Sequence, residues 1–129
     1  MCLNHFKPSI ISYLLETFFT TNQEILKSEP HRVALALVIS RAILIFISKN
    51  HKELSHHFLN YIAPNTYDHT MFTKNLYYYT HGCWDHKFNH SELGIKQIQK
   101  SLNIFEDLAS KEISNYYKQL CEMYLNVQF

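Results

Sequence analysis

The chain has 129 residues, of which 47% are hydrophobic and 18% are charged, and its formal net charge is +1 with histidine neutral. This length and composition exclude a disordered chain and fit one globular domain, 1–129. A charge so close to neutral offers no large basic field for a phosphate backbone, so we expect no nucleic-acid partner.

Glycine and proline are scarce, with two and three residues respectively. An all-β protein of this size would need many tight turns, which these residues usually make. We therefore predict an all-α fold, a single compact domain of five to seven helices. Three widely spaced cysteines at positions 2, 83 and 121 do not form a disulfide framework. Together with the lack of a secretion signal at the N-terminus, they predict reduced thiols in a cytoplasmic protein.

The N-terminal half predicts two helices before a central one. Ser9 is placed to cap a first helix that ends near Thr20, and Thr21 to Glu24 has the capping-box pattern of a short second helix. Residues 33–48 are apolar on every face except at Ser40 and Arg41. Sixteen such residues with a central arginine are too few for a membrane span, which needs about 20. We predict a buried central helix at about 31–48 and no membrane partner.

The C-terminal half predicts long helical segments. Residues 51–62 form one helix, and Thr66 or Thr70 starts the next, which carries the tyrosines at 77–79. Gly82 then suggests an interhelical loop over 80–88, and Asn89 is the next candidate cap. From there apolar residues recur every three or four positions for about 30 residues. This pattern predicts either one long helix or a pair broken near Ala109–Ser110, and its stripe is compatible with a homodimer.

Helical spacing also selects the residues expected in the core. These are Leu14, Phe18, Leu35, Leu37, Val38, Ile43, Ile45, Phe58, Ile98, Leu102, Phe105, Ile113 and Leu120.

The segment from Leu76 to His90 has three possible interpretations. It can be an interhelical loop, an aromatic recognition surface, or a metal site built from His81, Cys83, Asp85, His86 and His90. Consecutive helical residues point about 100° apart, so the tyrosines cannot all face one core. We predict a partner-binding surface, because tyrosine and tryptophan are common in binding hot spots. Its candidate residues are Tyr77, Tyr78, Tyr79, His81, Trp84, Asp85 and His86.

Arg41 is predicted to be a buried charge that needs an acceptor, because an unpaired buried charge is costly. Glu16 or Glu24 of the preceding helices can supply an internal ion pair. Alternatively, the guanidinium lies at the floor of a pocket and meets a ligand carboxylate or phosphate, or it lies exposed at the helix edge.

Two functions of different class follow from these observations. The first is a small protein-binding module that docks on another protein, for example an antitoxin or immunity protein that inhibits a toxin. The alternative is a metal-dependent helical protein, such as a hydrolase, that uses the His/Cys-rich 81–90 segment or the histidines at 51–57. No catalytic set or cofactor motif is apparent, which favours a protein that is not an enzyme and assigns it no cofactor and no metal.

Overall fold

The computed structural model describes residues 7–21, 29–63 and 70–129. In this part of the chain there are six α-helices and no strand, which confirms the all-α prediction. The helices are α1 (Pro8–Thr21), α2 (Glu29–Ser48), α3 (Lys52–Leu59, continued by a 3₁₀ turn at Asn60–Ile62), α4 (Met71–Phe88), α5 (Ser91–Leu108) and α6 (Lys111–Leu125). Thr21 is the last residue of α1, and the remainder of the short helix expected at Thr21 to Glu24, the candidate start at Thr66 and the side chain of Phe18 lie outside the described residues. That all of 1–129 forms one domain remains a prediction.

Helix α2 is the centre of the fold, as predicted. Every residue from Ala42 to Ile47 is buried, so all faces of this part of the helix meet other parts of the protein. Segment His31–Ser48 is also long and apolar enough to span a membrane, but 56% of it is buried inside the protein. Buried core helices pass the same test, so this is weak support for a membrane span.

The C-terminus of α2 is set by the two residues after it. Asn50 has a positive φ of 62°, a conformation that asparagine tolerates better than most residues. The chain turns back there, and the His51 N–H donates to the Phe46 carbonyl at 2.9 Å. This turn brings α3 against α2, where Phe58 packs on Phe46 with ring centroids 5.7 Å apart.

Helix α4 runs unbroken through Phe88, so the prediction of an interhelical loop over 80–88 is wrong. Gly82 is a buried helical residue and lies against Gly94 of α5. The two glycines let α4 and α5 approach closely, so Gly82 is a packing residue and not a helix breaker. The predicted cap is also shifted: Asn89 ends α4 by donating its N–H to the Asp85 carbonyl, and His90 is the residue that precedes α5.

The C-terminal stripe forms two helices, α5 and α6, that break at Ala109–Ser110. This is one of the two predicted arrangements. Ser110 caps α6, because its side-chain oxygen accepts from the Ile113 N–H at 3.1 Å.

Replacing Ser110 with alanine should lower the free energy of unfolding by about 1 kcal/mol, since the Ile113 N–H loses its partner. Urea denaturation followed by circular dichroism measures this change. Ser110→Asn is the matched control, because asparagine caps as well as serine and should keep wild-type stability. Equal stability of the alanine and asparagine variants would rule out the cap as a source of stability.

The predicted core is largely confirmed. Eight of the predicted residues are buried: Leu35, Ile43, Ile45, Phe58, Ile98, Leu102, Phe105 and Leu120. Val38 and Ile113 pack against the core while partly exposed. The predictions that Leu14 and Leu37 lie in the core were wrong, because these residues are 44% and 39% exposed. Helix α1 turns Ile11 and Leu15 inward instead of Leu14, and Leu37 lies on the face of α2 that borders an open groove.

Candidate ligand groove at Arg41

An open groove of about 280 Å³ lies where α2, α4 and α6 meet. Its walls are mostly apolar and aromatic, and Arg41 is the one cation among the described residues that line it. The lining residues are Leu37, Ser40 and Arg41 of α2, Phe72 of α4, and Ile113, Tyr116, Tyr117 and Leu120 of α6. The groove therefore combines apolar walls with a single guanidinium.

Two tyrosine hydroxyls of α6 hold Arg41 in place. Its Nε donates to the Tyr124 hydroxyl at 2.9 Å, and its Nη1 donates to the Tyr116 hydroxyl at 3.0 Å. The guanidinium carbon also lies 5.2 Å from the centre of the Tyr124 ring. Burial works to lower the pKa of Arg41, but the bond to Tyr124 and the nearby tyrosine hydroxyls outweigh it and raise the pKa above its ordinary value. The Arg41 guanidinium is therefore positively charged and held in position by the two tyrosines.

The predicted ion pair between Arg41 and Glu16 is absent. The Glu16 carboxylate instead contacts His57 Nε2 at 2.6 Å and accepts from the Tyr61 hydroxyl at 2.9 Å. The contact with His57 is the main cause that lowers the pKa of Glu16. Glu24, the other predicted partner, lies outside the described residues. Arg41 is also only partly buried, because one side of it faces the groove.

The tyrosines of α4 point in different directions, as their spacing required. Tyr79 is fully buried and donates to the Tyr117 carbonyl at 2.7 Å, so it has no surface to offer a partner. Tyr77 is partly buried, and Tyr78 is 50% exposed. Tyr78 lines a second, larger groove of about 590 Å³ between α4 and α5, together with Lys96 and Lys100.

The remaining predicted surface residues are spread around the end of α4. His81 pairs with Asp85 one turn later, with Nδ1 and Oδ2 3.0 Å apart. Trp84 packs on His56 of α3, with ring centroids 5.1 Å apart, whereas His86 contacts the Ser91 hydroxyl at 2.8 Å. The structure thus brings Tyr77, His81 and Asp85 together along α4, with the Tyr77 and His81 ring centroids 5.7 Å apart, but it does not gather the whole predicted set in one patch. Whether its exposed members contact a partner remains a prediction.

A family model described as the C-terminal domain of the HTH-type transcriptional regulator Rgg matches residues 1–119. The chain belongs to this family. No curated protein and no solved structure matches the chain.

Membership of the Rgg C-terminal domain family overturns the prediction of an antitoxin or immunity protein that inhibits a toxin. It also overturns the expectation of no nucleic-acid partner, because a helix-turn-helix regulator acts on DNA. The near-neutral charge was misleading, because a net charge is a sum and carries no information on where basic residues cluster.

The metal-dependent alternative is also wrong. The family match contradicts it, and so does the placement of the candidate ligands. Within the described ranges, no group of three or more His, Cys, Asp and Glu side chains is placed to share a metal ion. Cys83 is fully buried, whereas His90 is exposed. The continuous helix through Phe88 separates the ligands that a loop would have gathered.

The Arg41 groove depends on residues that the sequence did not single out, above all Tyr116 and Tyr124, which hold Arg41. The one available signal was Arg41, a cation in an apolar helix that had to find acceptors elsewhere. Both acceptors lie on α6, 75 and 83 residues away in the chain. Nothing local to α2 identifies them.

Proposed function

We propose that this chain is the regulatory domain of a DNA-binding transcriptional regulator, and that its Arg41 groove binds the effector. The effector we propose carries a carboxylate next to an apolar segment, as the C-terminal end of a short hydrophobic peptide does. The observation that carries this proposal is the guanidinium of Arg41, fixed by two neutral hydroxyls at the edge of an apolar groove.

The chemistry of Arg41 suits a carboxylate. Two of its N–H groups are used by Tyr116 and Tyr124, and among the described residues no carboxylate engages the others. A guanidinium presents its donors in a planar fork that matches the two oxygens of a carboxylate. Because the tyrosines already hold the side chain, little rotamer freedom is lost when a ligand binds.

The walls of the groove define the rest of the effector. Leu37 is 39% exposed there, and Phe72, Ile113 and Leu120 continue the apolar surface. A volume of about 280 Å³ is at the low end for ligand pockets, which run from roughly 300 Å³ upward. The groove therefore holds one end of the effector, with the remainder lying along the protein surface.

The family description supports the DNA-binding part of the proposal. We assign DNA contact to a helix-turn-helix motif and effector binding to the helices described here. Because a transcriptional regulator works where the DNA is, we also propose a cytoplasmic location.

The effector hypothesis is tested with a panel of fluorescein-labelled hydrophobic hexapeptides, each made with a free C-terminal carboxylate and as the C-terminal amide. Fluorescence polarisation gives the Kd of each form. We expect the carboxylate form to bind about tenfold more tightly or better, since a hydrogen bond to a charged group contributes about 1.5–3 kcal/mol. Arg41→Gln should remove this preference while leaving the weak binding of the amide unchanged.

Lys111→Gln is the matched control, because it removes one positive charge from exposed α6 surface outside the groove. It should retain the full preference for the carboxylate. The effector assignment fails if acid and amide forms bind equally to the wild type, or if Arg41→Gln and Lys111→Gln behave alike.

The regulatory role is tested separately by comparing transcripts of the host strain with those of a strain that lacks the gene. The transcript levels of a defined set of genes should change on deletion. If the effector acts through this groove, the transcript levels of the same set should also change in a strain that carries Arg41→Gln. Unchanged transcripts on deletion would refute the role as a regulator.

A further inference from the structure

The second groove, between α4 and α5, has the dimensions of a small-molecule site. Its volume of about 590 Å³ lies within the range of roughly 300–1,000 Å³ that ligand pockets occupy. Beside it the two helices are held together by a hydrogen bond from Gln97 Nε2 to the Tyr78 carbonyl at 2.7 Å. The close approach of Gly82 and Gly94 holds the same two helices one turn further along. The walls of this α4–α5 groove are therefore formed before any ligand binds.

Two lysines give the α4–α5 groove a positive wall. Lys96 and Lys100 are both exposed and lie one helical turn apart on α5, about 6 Å along the helix axis. The described residues that line the groove include no aspartate or glutamate, and in the described part of the chain neither lysine forms an ion pair. This charge favours an anionic group that can reach two ammonium groups, as a diphosphate does.

An aromatic ring lies across the groove from the lysines. The Tyr78 ring is 50% exposed, and Ile104 of α5 adds apolar surface to the same groove. The ring of Tyr77 supports that of Tyr78, with centroids 5.7 Å apart and planes at 65°. A tyrosine ring beside positive charge is the combination on which nucleotides bind, because the base stacks on the ring while the phosphate meets the cations.

The groove also contains a buried side chain with an unused acceptor. Asn75 is only 4% exposed, and its Nδ2 donates to the Ser101 carbonyl at 2.9 Å. Its Oδ1 has no hydrogen-bond partner among the described residues, and such an acceptor favours a ligand that brings a donor. Tyr78 follows Asn75 by one turn, and Lys100 precedes Ser101. Both have exposed side chains that can rotate, so a donor can approach Oδ1 from the groove without movement of either helix.

We propose that the α4–α5 groove is a second ligand site, which binds a nucleoside diphosphate whose base carries an exocyclic amino group. Lys96 and Lys100 contact the phosphates, the base stacks on Tyr78, and Asn75 Oδ1 accepts a hydrogen bond from the amino group. The site differs in chemistry from the Arg41 groove, whose single cation is held between two tyrosines. It does not rest on the effector proposed for that groove.

Isothermal titration calorimetry of the full chain with ADP and GDP tests the proposal. At least one of the two should bind one per chain with a Kd tighter than about 1 mM. Inosine diphosphate is the matched ligand, because its purine ring has no exocyclic amino group. It should bind about tenfold more weakly, since it offers Asn75 Oδ1 no amino donor. Inorganic pyrophosphate should also bind about tenfold more weakly, because it cannot stack on Tyr78.

Variants of exposed residues separate the two parts of the site, with folding checked by circular dichroism. Lys96→Gln combined with Lys100→Gln should weaken nucleotide binding about tenfold or more. Lys87→Gln combined with Lys111→Gln is the matched control, because it removes the same charge from exposed surface outside the groove and should leave the Kd unchanged. Tyr78→Ala should weaken nucleotide binding about tenfold and leave pyrophosphate binding as it is in the wild type.

Three results would overturn the proposal. They are the absence of ADP and GDP binding at this affinity, equal binding by the two lysine double variants, and equal affinity for the nucleotide and for pyrophosphate. Equal binding of inosine diphosphate and the preferred nucleotide would overturn the recognition of an amino group by Asn75. Arg41→Gln should leave the nucleotide Kd unchanged, so a failure of the effector hypothesis and a failure of this site are told apart.

Discussion

Replacing Gly94 with alanine is expected to lower the free energy of unfolding by about 3 kcal/mol. A Cβ at this position would lie 2.7 Å from both the His86 Cα and the Gly82 carbonyl oxygen, which are backbone atoms of α4. Backbone atoms cannot rotate away, so α4 and α5 must separate along their contact. Alanine gains up to about 1 kcal/mol in helix propensity, which does not offset this loss of packing.

Thermal unfolding followed by circular dichroism measures the effect, with a fall in Tm on the order of 10 °C. Gly82→Ala is the matched control on the facing helix. Its Cβ would meet Ile98 Cγ1 at 3.1 Å, Gln97 Cβ at 3.2 Å and the Gly94 carbonyl oxygen at 3.2 Å, so these neighbours would have to shift by only a few tenths of an ångström. We expect a change within about 1 kcal/mol, since the gain in helix propensity offsets the tight contacts. If Gly94→Ala proves as stable as the wild type, the helices do not depend on this close approach.

Replacing Phe105 with alanine should lower the free energy of unfolding by about 4 kcal/mol. Phe105 is 1% exposed, and its ring stacks on Tyr117 with centroids 4.5 Å apart and planes 11° apart. It also packs against Phe72 and Tyr79, with centroid distances of 5.4 Å and 6.1 Å. The change removes a buried ring and leaves a cavity among three aromatic neighbours.

Urea denaturation tests this prediction, since the midpoint should fall while the slope with denaturant stays the same. Leu108→Ala is the control on the same helix, because Leu108 is 49% exposed, and its effect should stay within about 0.5 kcal/mol. A small effect of Phe105→Ala would mean that this cluster is not the centre of the α4–α5–α6 packing. Phe72 and Tyr117 also line the Arg41 groove, so a large effect ties the groove to the core.

The Arg41 groove and the α4–α5 contact show the same dependence on residues far apart in sequence. Gly82 read alone predicts a helix break, and only its contact with Gly94 explains why the helix continues. From the sequence alone, Arg41 is expected to need a hydrogen-bond acceptor. Only the packing of α6 on α2 identifies Tyr116 and Tyr124 as the acceptors. The Leu76–His90 segment is helical through Phe88, so its neighbouring side chains point apart, and partner contact by its exposed members remains a prediction.

Function was predicted less well than fold, also for a physical reason. Net charge is a sum over all charged residues, here +1, and does not report how those charges are distributed. It therefore could not exclude DNA as a partner of this family. The family match supplied what composition and spacing did not.

The sequence by itself determined the helical class, the central apolar helix and most of the core, and it offered the break at Ala109–Ser110 as one of two alternatives. These features depend on periodicity, on caps and on scarce glycine and proline, all of which act over a few residues. Only the tertiary structure decided the close approach of α4 and α5, the acceptors of Arg41 and the contact of Tyr79 with Cys121. Each of these joins residues on different helices, and local propensity carries no information about which helices pack together.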